Sequence, residues 1–337
     1  MKKLTPTKRA WLVAASLFIA ILLTLIISLN LGVMQISPVD VWKTLTGNGT
    51  SQSSLILFDF RLPRMVMALL IGAGMAVSGA ILQSVTQNEL ADPGIIGINA
   101  GAGFAVVLSI YLFQSGTITA STASVFLLPA AALIGSVVAA TLIYAISWKN
   151  GVSPIRLILV GIGINAAFSA LIIVFQLKMD PNDFTRATVW LSGNISGTDW
   201  TYVYALLPWI LILLPYTFFK ANTLNTMNLG DDIAKGLGTK VERERMLLLL
   251  AAVALAGSSV AVGGGIAFLG LVTPHLVKKL VGTRHQAILP ITALMGGFLL
   301  LVADTVGRNI LSPSEIPVGL VVSVIGGIYF IYLLIKS

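Results

Sequence analysis

Two arginines lie just before an apolar run, in a sequence that is otherwise poor in charge. Arg61 and Arg64 belong to the segment Arg61-Leu62-Pro63-Arg64. Two guanidinium groups so placed could hold carboxylates of a docking protein through charge-assisted, often bidentate hydrogen bonds. Cationic residues at helix ends also anchor helices at lipid headgroups. The residues alone therefore leave both a docking role and an anchoring role open.

Asp304 and Arg308 are four residues apart in a later apolar run. On a helix this spacing makes the two side chains face one another. A carboxylate inside a membrane span is a candidate for a proton relay. However, the neighbouring Arg308 favours the ionised form of Asp304, which is unsuitable for a group that must exchange its proton near neutral pH. We therefore predict a structural ion pair.

A polar turn interrupts the apolar sequence at residues 83–97 and carries Asn88, Glu89 and Asp92. Such a constriction between two spans could act as a gate. A capped turn in which Asp92 and Pro93 begin the next helix would have the same sequence, so both interpretations remain. Gly97 and Gly101, which follow, predict close packing between helices.

Residues 229–238 read Leu-Gly-Asp-Asp-Ile-Ala-Lys-Gly-Leu-Gly and form a polar segment of helix size in the longest basic loop. This segment is suited to contact a soluble partner. It does not match the phosphate-binding pattern Gly-x4-Gly-Lys-Ser/Thr at any register, and neither does any other part of the sequence. If ATP drives this protein, the ATPase must be a separate subunit.

Composition argues against several other classes of site. The 337 residues include no cysteine, so disulfides and thiolate metal sites are excluded, and two histidines, His275 and His285, are a poor set for a metal. We expect no catalytic residues, no metal and no cofactor. The net charge of +8 resides at the ends of apolar runs, which does not fit a nucleic-acid surface.

The elements that carry these residues must be membrane helices. A mean hydropathy of +0.94 is incompatible with a water-soluble globule. The apolar runs are mostly about 18 to 22 residues long, the length of a helix that crosses a core of roughly 30 Å. We predict an all-α polytopic membrane protein with one transmembrane domain, residues 1–337. Its ten spans are predicted near 11–31, 65–84, 94–112, 125–147, 155–177, 202–220, 246–264, 268–281, 287–306 and 316–334.

Charge distribution predicts the orientation of the helices. With the N-terminus inside, 15 Lys and Arg residues fall on cytoplasmic segments and 6 on external ones, and ten spans then place both termini in the cytoplasm. The span that opens at Arg64-Met65 is echoed by one at Arg245-Met246 in the opposite orientation. An inverted repeat would give this echo, and so would chance.

The ordered motifs resemble those of the FecCD-type permease subunits of bacterial ABC importers for iron-siderophores, haem and cobalamin, almost from end to end. The resemblance rests on the following residues: Arg61-Leu62-Pro63-Arg64, Gly72, Ser78-Gly79, Gln83, Asn88, Leu90-Ala91-Asp92-Pro93, Gly97, Leu229-Gly230-Asp231, Ala234, Leu237-Gly238, Phe268-Leu269-Gly270-Leu271-Val272, Pro274-His275, Ala303-Asp304, Arg308, Glu315, Pro317 and Gly319.

The resemblance implies a permease of the cobalamin-importer type in the bacterial inner membrane. Such a chain is not itself an enzyme. It pairs with an identical or paralogous second permease, with two ATP-binding subunits, and with an extracytoplasmic binding protein that delivers the cargo. The cargo expected from the resemblance is a ferric siderophore, with cobalamin or haem as alternatives. An ion-coupled secondary transporter is a further alternative, but it would need buried, proton-labile carboxylates, which the spans hardly offer besides Asp304.

The resemblance also implies roles for particular residues. Arg61, Arg64 and Arg308 match the arginines that receive acidic residues of the binding protein. A cytoplasmic gate is implied at Asn88 and Leu90. A second gate is implied at Ser153 and Pro154, although this loop departs from the small hydroxyl residues of some relatives. The segment expected to be the coupling helix, which rests in a groove of the ATPase, comprises Leu229, Gly230, Asp231, Ala234, Leu237 and Gly238. Bulky replacements of Asp231 and Ala234 are expected to uncouple ATP hydrolysis from transport.

Overall fold

The computed structural model describes residues 6–32, 37–113, 126–149 and 151–336, and these residues are organised into helices. The helices are α1 Pro6–Asn30, α2 Pro38–Leu45, α3 Ser51–Ser54, a π-helical segment Leu55–Arg61, α4 Leu62–Thr86, α5 Pro93–Ile96, α6 Ile98–Leu112, α7 Leu127–Ser147, α8 Pro154–Gln176, α9 Pro181–Leu191, α10 Trp200–Phe219, α11 Ala221–Met227, α12 Asp231–Gly236, α13 Val241–Gly263, α14 Leu269–Val281, α15 His285–Ile310 and α16 Val318–Lys336.

The prediction of an all-α polytopic membrane protein is confirmed. Within the described ranges, seven helices are long and apolar enough to cross a membrane, and two shorter apolar helices accompany them, Ile98–Leu112 and Val318–Tyr332. The short helix α14 has 13 residues and corresponds to the predicted span at 268–281. Each of the ten predicted spans therefore has a helix; residue 125 of the fourth span lies outside the described residues, and Phe126 precedes the first residue of α7.

Helix α4 is the central element, and α13 and α15 pack against it in the antiparallel direction. The Ser78 hydroxyl of α4 donates a hydrogen bond of 2.7 Å to the Ala252 carbonyl of α13. Against α15, Ser84 lies 2.7 Å from His285 at one end of the pair, while Arg64 contacts Asp304 at the other. We name the end at which Arg64 contacts Asp304 the Arg64 end. The opposite end, at which Ser84 lies beside His285, is named the Asp231 end.

Glycines permit the closest approaches between these helices. Gly72 of α4 lies against Gly296 of α15, so closely that a methyl group on either residue would overlap the other's carbonyl. Gly101 packs against Gly135 in the same manner, which confirms the close packing predicted for Gly101. Gly97, with φ of +102°, lies against the backbone of α8 at Gly161. In a membrane such contacts replace the hydrophobic driving force between helices.

The glycine-rich turn before α14 lies against other backbone rather than lipid. Gly265 donates its amide to the Trp190 carbonyl at 3.3 Å, and the nearby Gly193 carbonyl accepts from the Gly319 amide at 3.0 Å. The turn after α9 and the start of α16 thus supply protein around this irregular segment. Irregular backbone at membrane depth requires such partners.

Candidate functional site

Arg64, in the first turn of α4, holds two acidic side chains at the Arg64 end. Its Nε and Nη2 atoms each lie 2.8 Å from Asp304 Oδ1, and its Nη1 lies 2.8 Å from Glu315 Oε2. Arg308 Nε lies 3.3 Å from the other oxygen of Asp304. The predicted ion pair between Asp304 and Arg308 is confirmed. The second partner, Arg64, lies on another helix and was not anticipated as an ion-pair partner of Asp304.

The structure brings together the three arginines that were expected to contact the binding protein. Each of these arginines, Arg61, Arg64 and Arg308, is less than 10% exposed. Arg61 donates a hydrogen bond to the Leu29 carbonyl, and Arg308 donates one to the Ser28 hydroxyl. A cavity of about 170 Å³ opens beside them. Its lining consists of Gly32, Ile56, Phe60, Arg61, Arg64, Arg308 and Glu315.

Ion pairs in this cluster join two arginines to two acidic residues. Arg64 pairs with both Asp304 and Glu315, and Arg308 pairs with Asp304. The Asp304 side chain is completely buried, whereas the Glu315 side chain is 35% exposed. Asp304 thus lies between arginines on two different helices, the arrangement of a structural ion pair. Three of the side chains that line the cavity are arginines, which suits it to an acidic group.

At the Asp231 end, α12 occupies the segment predicted to contact a soluble partner. Gly230 and Gly238 flank the helix with φ of +99° and +84°, a conformation that glycine adopts without strain. Three side chains spaced four residues apart are more than half exposed, and we name them the α12 apolar face: Leu229, Ile233 and Leu237. Ile233 was not singled out in the sequence, although its spacing from Leu229 and Leu237 was visible.

Two residues of the predicted coupling segment point into the chain instead. Ala234 is fully buried. Asp231 binds Arg245 of α13 in bidentate fashion, with Nη2 2.7 Å from each carboxylate oxygen. Bulky groups at these two positions would therefore disturb the attachment of α12 to its own chain rather than a surface available to a partner.

Arg245 connects α12 to the loop between α7 and α8. It is 2% exposed, and its Nη1 donates to Glu242 Oε1 and to the Val152 carbonyl, both at 2.9 Å. Val152 immediately precedes Ser153 and Pro154, which begin α8. The second predicted gate is thus joined to α12 through one side chain, a connection between residues 93 positions apart in sequence.

Other contacts at this end tie the first predicted gate to the same region. Asn88 accepts the Leu90 amide on its side chain at 2.8 Å, and Leu90 is 41% exposed. Gln87 donates to the Met227 carbonyl at 3.1 Å, which links this turn to α11. Asp92 accepts the Gly94 amide at 2.8 Å and caps α5, so the capped-turn geometry is present. The same turn could also act as a gate, and that role stays a prediction.

Histidines at this end are occupied by protein partners. His285 lies 2.7 Å from the Ser84 hydroxyl and 2.9 Å from Asn225 Oδ1. His275 Nδ1 is 3.5 Å from Glu89. Among the residues that the structure describes, no group of three or more His, Cys, Asp or Glu side chains could hold a metal ion.

Comparisons with known proteins give one consistent result. The model of the FecCD transport family matches residues 20–336. The iron(3+)-hydroxamate import system permease protein FhuG of Bacillus subtilis (strain 168) is 57% identical over 333 residues, covering 99% of both chains. The iron-uptake system permease protein FeuC of the same organism is 42% identical over 325 residues, covering 96% of this chain and 97% of FeuC.

A solved structure is also similar to this chain. It is described as a metal-chelate type ABC transporter in an inward-facing conformation. The two chains share 30% sequence identity, the TM-score is 0.82, and the match covers 96% of this chain and 99% of the other. The similarity therefore extends over almost the whole chain.

Proposed function

Because the chain belongs to the FecCD transport family, it is a permease subunit of an ATP-binding-cassette importer, and we propose that its cargo is a ferric siderophore of the hydroxamate class. The observation that supports this cargo is the identity of 57% with an iron(3+)-hydroxamate permease over almost the full length of both chains. FeuC, which is described only by iron uptake, is 42% identical.

The proposed location is the inner membrane of a bacterium, with the Asp231 end in the cytoplasm. Charge supports this orientation, because the loops at the Asp231 end include Lys220, Arg243 and Arg284, and cytoplasmic loops are enriched in such residues. In this orientation the Arg64 end faces outward, where an extracytoplasmic binding protein would arrive with the cargo.

At the cytoplasmic side, two ATP-binding subunits would bind the α12 apolar face, one for each permease. Exposed leucine and isoleucine side chains at the end of a polar helix are suited to a groove on a soluble protein. ATP hydrolysis would take place on those subunits. This chain would convert their movement into opening and closing of the transport path.

At the outer side, the proposed docking group is the cluster of Arg61, Arg64 and Arg308. Its burial means that an acidic residue of the binding protein must enter the cavity of about 170 Å³ rather than meet a free surface. Arg64 offers one replaceable contact there, because its partner Glu315 is partly exposed whereas Asp304 is buried. An incoming carboxylate would take the place of Glu315.

A second permease, identical or paralogous, would complete the path. Helix α8 supports this, because its exposed side includes small residues at Gly163, Ala167 and Ala170, a surface typical of helix–helix contact in membranes. The proposed gates at the cytoplasmic side are the turn with Asn88 and Leu90 and the loop with Ser153 and Pro154.

Uptake of a panel of cargoes tests the proposed specificity. The complex, reconstituted in proteoliposomes with ATP and its binding protein, is supplied with radiolabelled ferric hydroxamate, ferric citrate, haem or cobalamin. We expect accumulation of the ferric hydroxamate and little of the other three. Preferential accumulation of haem or cobalamin would contradict the proposed cargo while leaving the assignment to the family intact.

A further inference from the structure

Arg245, in the first turns of α13, joins α12 to the loop before α8, which is 93 positions away in sequence. We propose that Arg245 is a positioning residue that transmits movement of α12 to the loop at Val152 and so to the start of α8. This inference rests on the proposed role of α12 as the contact with an ATP-binding subunit. It assigns to one buried side chain the step between that contact and the second gate.

The two halves of the guanidinium group hold different segments. Nη2 binds both oxygens of Asp231 at 2.7 Å, at the start of α12. Nη1 donates at 2.9 Å to the Val152 carbonyl and to Glu242. A guanidinium group is planar and its donors are fixed relative to one another. While these hydrogen bonds are kept, displacement of Asp231 therefore rotates or displaces the guanidinium group that holds Val152.

Glu242 holds the same loop from its other side. Its Oε2 accepts the Val152 amide at 3.3 Å, so both the amide and the carbonyl of Val152 are bound to this pair. Gly151 has φ of +110°, and a Cβ atom there would lie 3.1 Å from Glu242 Oε1. The glycine permits the carboxylate to lie directly against the loop backbone. Arg245 and Glu242 together clasp the loop.

The described residues of this loop are bonded to one another and to α8. The Lys149 amide donates to the Gly151 carbonyl at 3.1 Å, and Arg156 donates from α8 to the carbonyls of Lys149 and Gly151. Pro154 begins α8 two residues after Val152. Displacement of Val152 should therefore also displace the first turn of α8. Arg245 connects α12 to this loop by hydrogen bonds.

Substitutions that weaken the clasp should separate ATP hydrolysis from uptake. In Asp231→Asn and Arg245→Lys, the bidentate ion pair is lost, but residues of similar size and polarity remain. We expect the ATP-binding subunits to co-purify and hydrolyse ATP, while uptake per ATP hydrolysed falls about tenfold, as for loss of one strong charge-assisted bond.

Arg243→Lys is the control, because Arg243 is exposed and only two residues away. Unchanged uptake per ATP in both variants would overturn the proposal, as would a parallel fall of hydrolysis and uptake, which indicates a structural role only.

Spin-label distances give a readout that a merely structural residue would not alter. The native sequence contains no cysteine, so labels can be placed at Lys149→Cys and Lys235→Cys alone. We expect the distance between these labels to be the same with and without nucleotide in the otherwise unchanged complex, and to become nucleotide-dependent when Asp231→Asn is added. A distance that is unaffected by Asp231→Asn in every nucleotide state would overturn the proposal. Absence of ATP-driven uptake by the unlabelled, unsubstituted complex would instead contradict the proposed function.

Discussion

At the scale of single residues, the Arg64 end combines a fixed ion pair with a replaceable one. Arg64 holds Asp304, which is buried, and Glu315, which is 35% exposed. Removal of either arginine from Asp304 would leave a buried charge poorly compensated, at a cost of about 3–5 kcal/mol. The contact with Glu315 is more strongly screened by solvent than the contact with Asp304, because the Glu315 side chain is partly exposed. Glu315 is therefore the side chain that a partner's carboxylate can displace.

Substitution Glu315→Gln tests this difference. Loss of the Glu315 charge leaves Arg64 with a neutral acceptor in place of a carboxylate and increases the positive charge of the cavity. We expect the Kd of the binding protein for the permease complex to fall by a factor of roughly two to five. The measurement is a binding titration with the complex in detergent or nanodiscs.

Arg64→Gln serves as the opposing variant in the same titration, and its Kd should rise. Thermal unfolding must be followed alongside, because Arg64 also compensates Asp304. If Glu315→Gln weakens docking as much as Arg64→Gln does, then Glu315 holds Arg64 in its docking position rather than competing for it.

The sequence predicted part of this cluster. Asp304 and Arg308 lie four residues apart on one helix, so their pairing followed from helical geometry alone. Arg64 is separated from Asp304 by 240 positions, and no local rule relates them. Reversal of all three arginine charges would therefore be a poor test of docking. It would also remove the two arginines that compensate the buried Asp304 charge.

At the scale of single elements, α12 shows how tertiary contacts decide which side of a helix is available. The sequence located the segment at 229–238, and the helix is Asp231–Gly236. Its polar residue Asp231 is bound to Arg245, whereas the apolar side chain of Ile233 is exposed. Ile233 therefore departs from the usual expectation for a short surface helix, whereas Asp232 and Lys235 are exposed and Ala234 is buried as expected. The inward position of Asp231 follows from its contact with the buried Arg245, a partner that the sequence spacing did not predict.

Substitution Ile233→Ala should weaken the binding of the ATP-binding subunit. Burial of an isoleucine side chain contributes about 1.5–3 kcal/mol, so we expect the Kd to rise by roughly one to two orders of magnitude. Leu250→Ala is the matched control, because Leu250 is similarly exposed but lies on α13. Equal affinity of the Ile233→Ala and unsubstituted proteins would remove α12 from the interface.

Packing of α4 against α15 depends on the glycines at their contact. In Gly72→Ala the added methyl group would overlap the Gly296 carbonyl, and overpacking of this kind costs about 1–3 kcal/mol. We therefore expect a lower Tm of the purified protein. Gly327→Ala on α16 is the control, because no atom lies within 4 Å of the added methyl group, and its Tm should be unchanged or slightly higher. Equal Tm values for the two variants would contradict the contact.

At the scale of the whole molecule, the chain separates two polar ends by an apolar bundle. The length and hydropathy of the runs predicted all ten helices, because a membrane requires each span to satisfy its own backbone hydrogen bonds. The meeting of Gly193, Gly265 and Gly319 inside the bundle was not predictable, since it depends on how separate segments pack. The Asp231 end bears the proposed contact with the ATPase and both proposed gates, and the Arg64 end bears the proposed docking cavity.

The central claim is that movement received at α12 drives uptake of cargo delivered at the Arg64 end. Uptake of radiolabelled ferric hydroxamate into proteoliposomes tests it most directly, with the permeases, the ATP-binding subunits and the binding protein present. We predict accumulation that requires both ATP and the binding protein and that is unaffected by collapse of ion gradients. Accumulation driven by an ion gradient, without ATP or the ATP-binding subunits, would contradict the account.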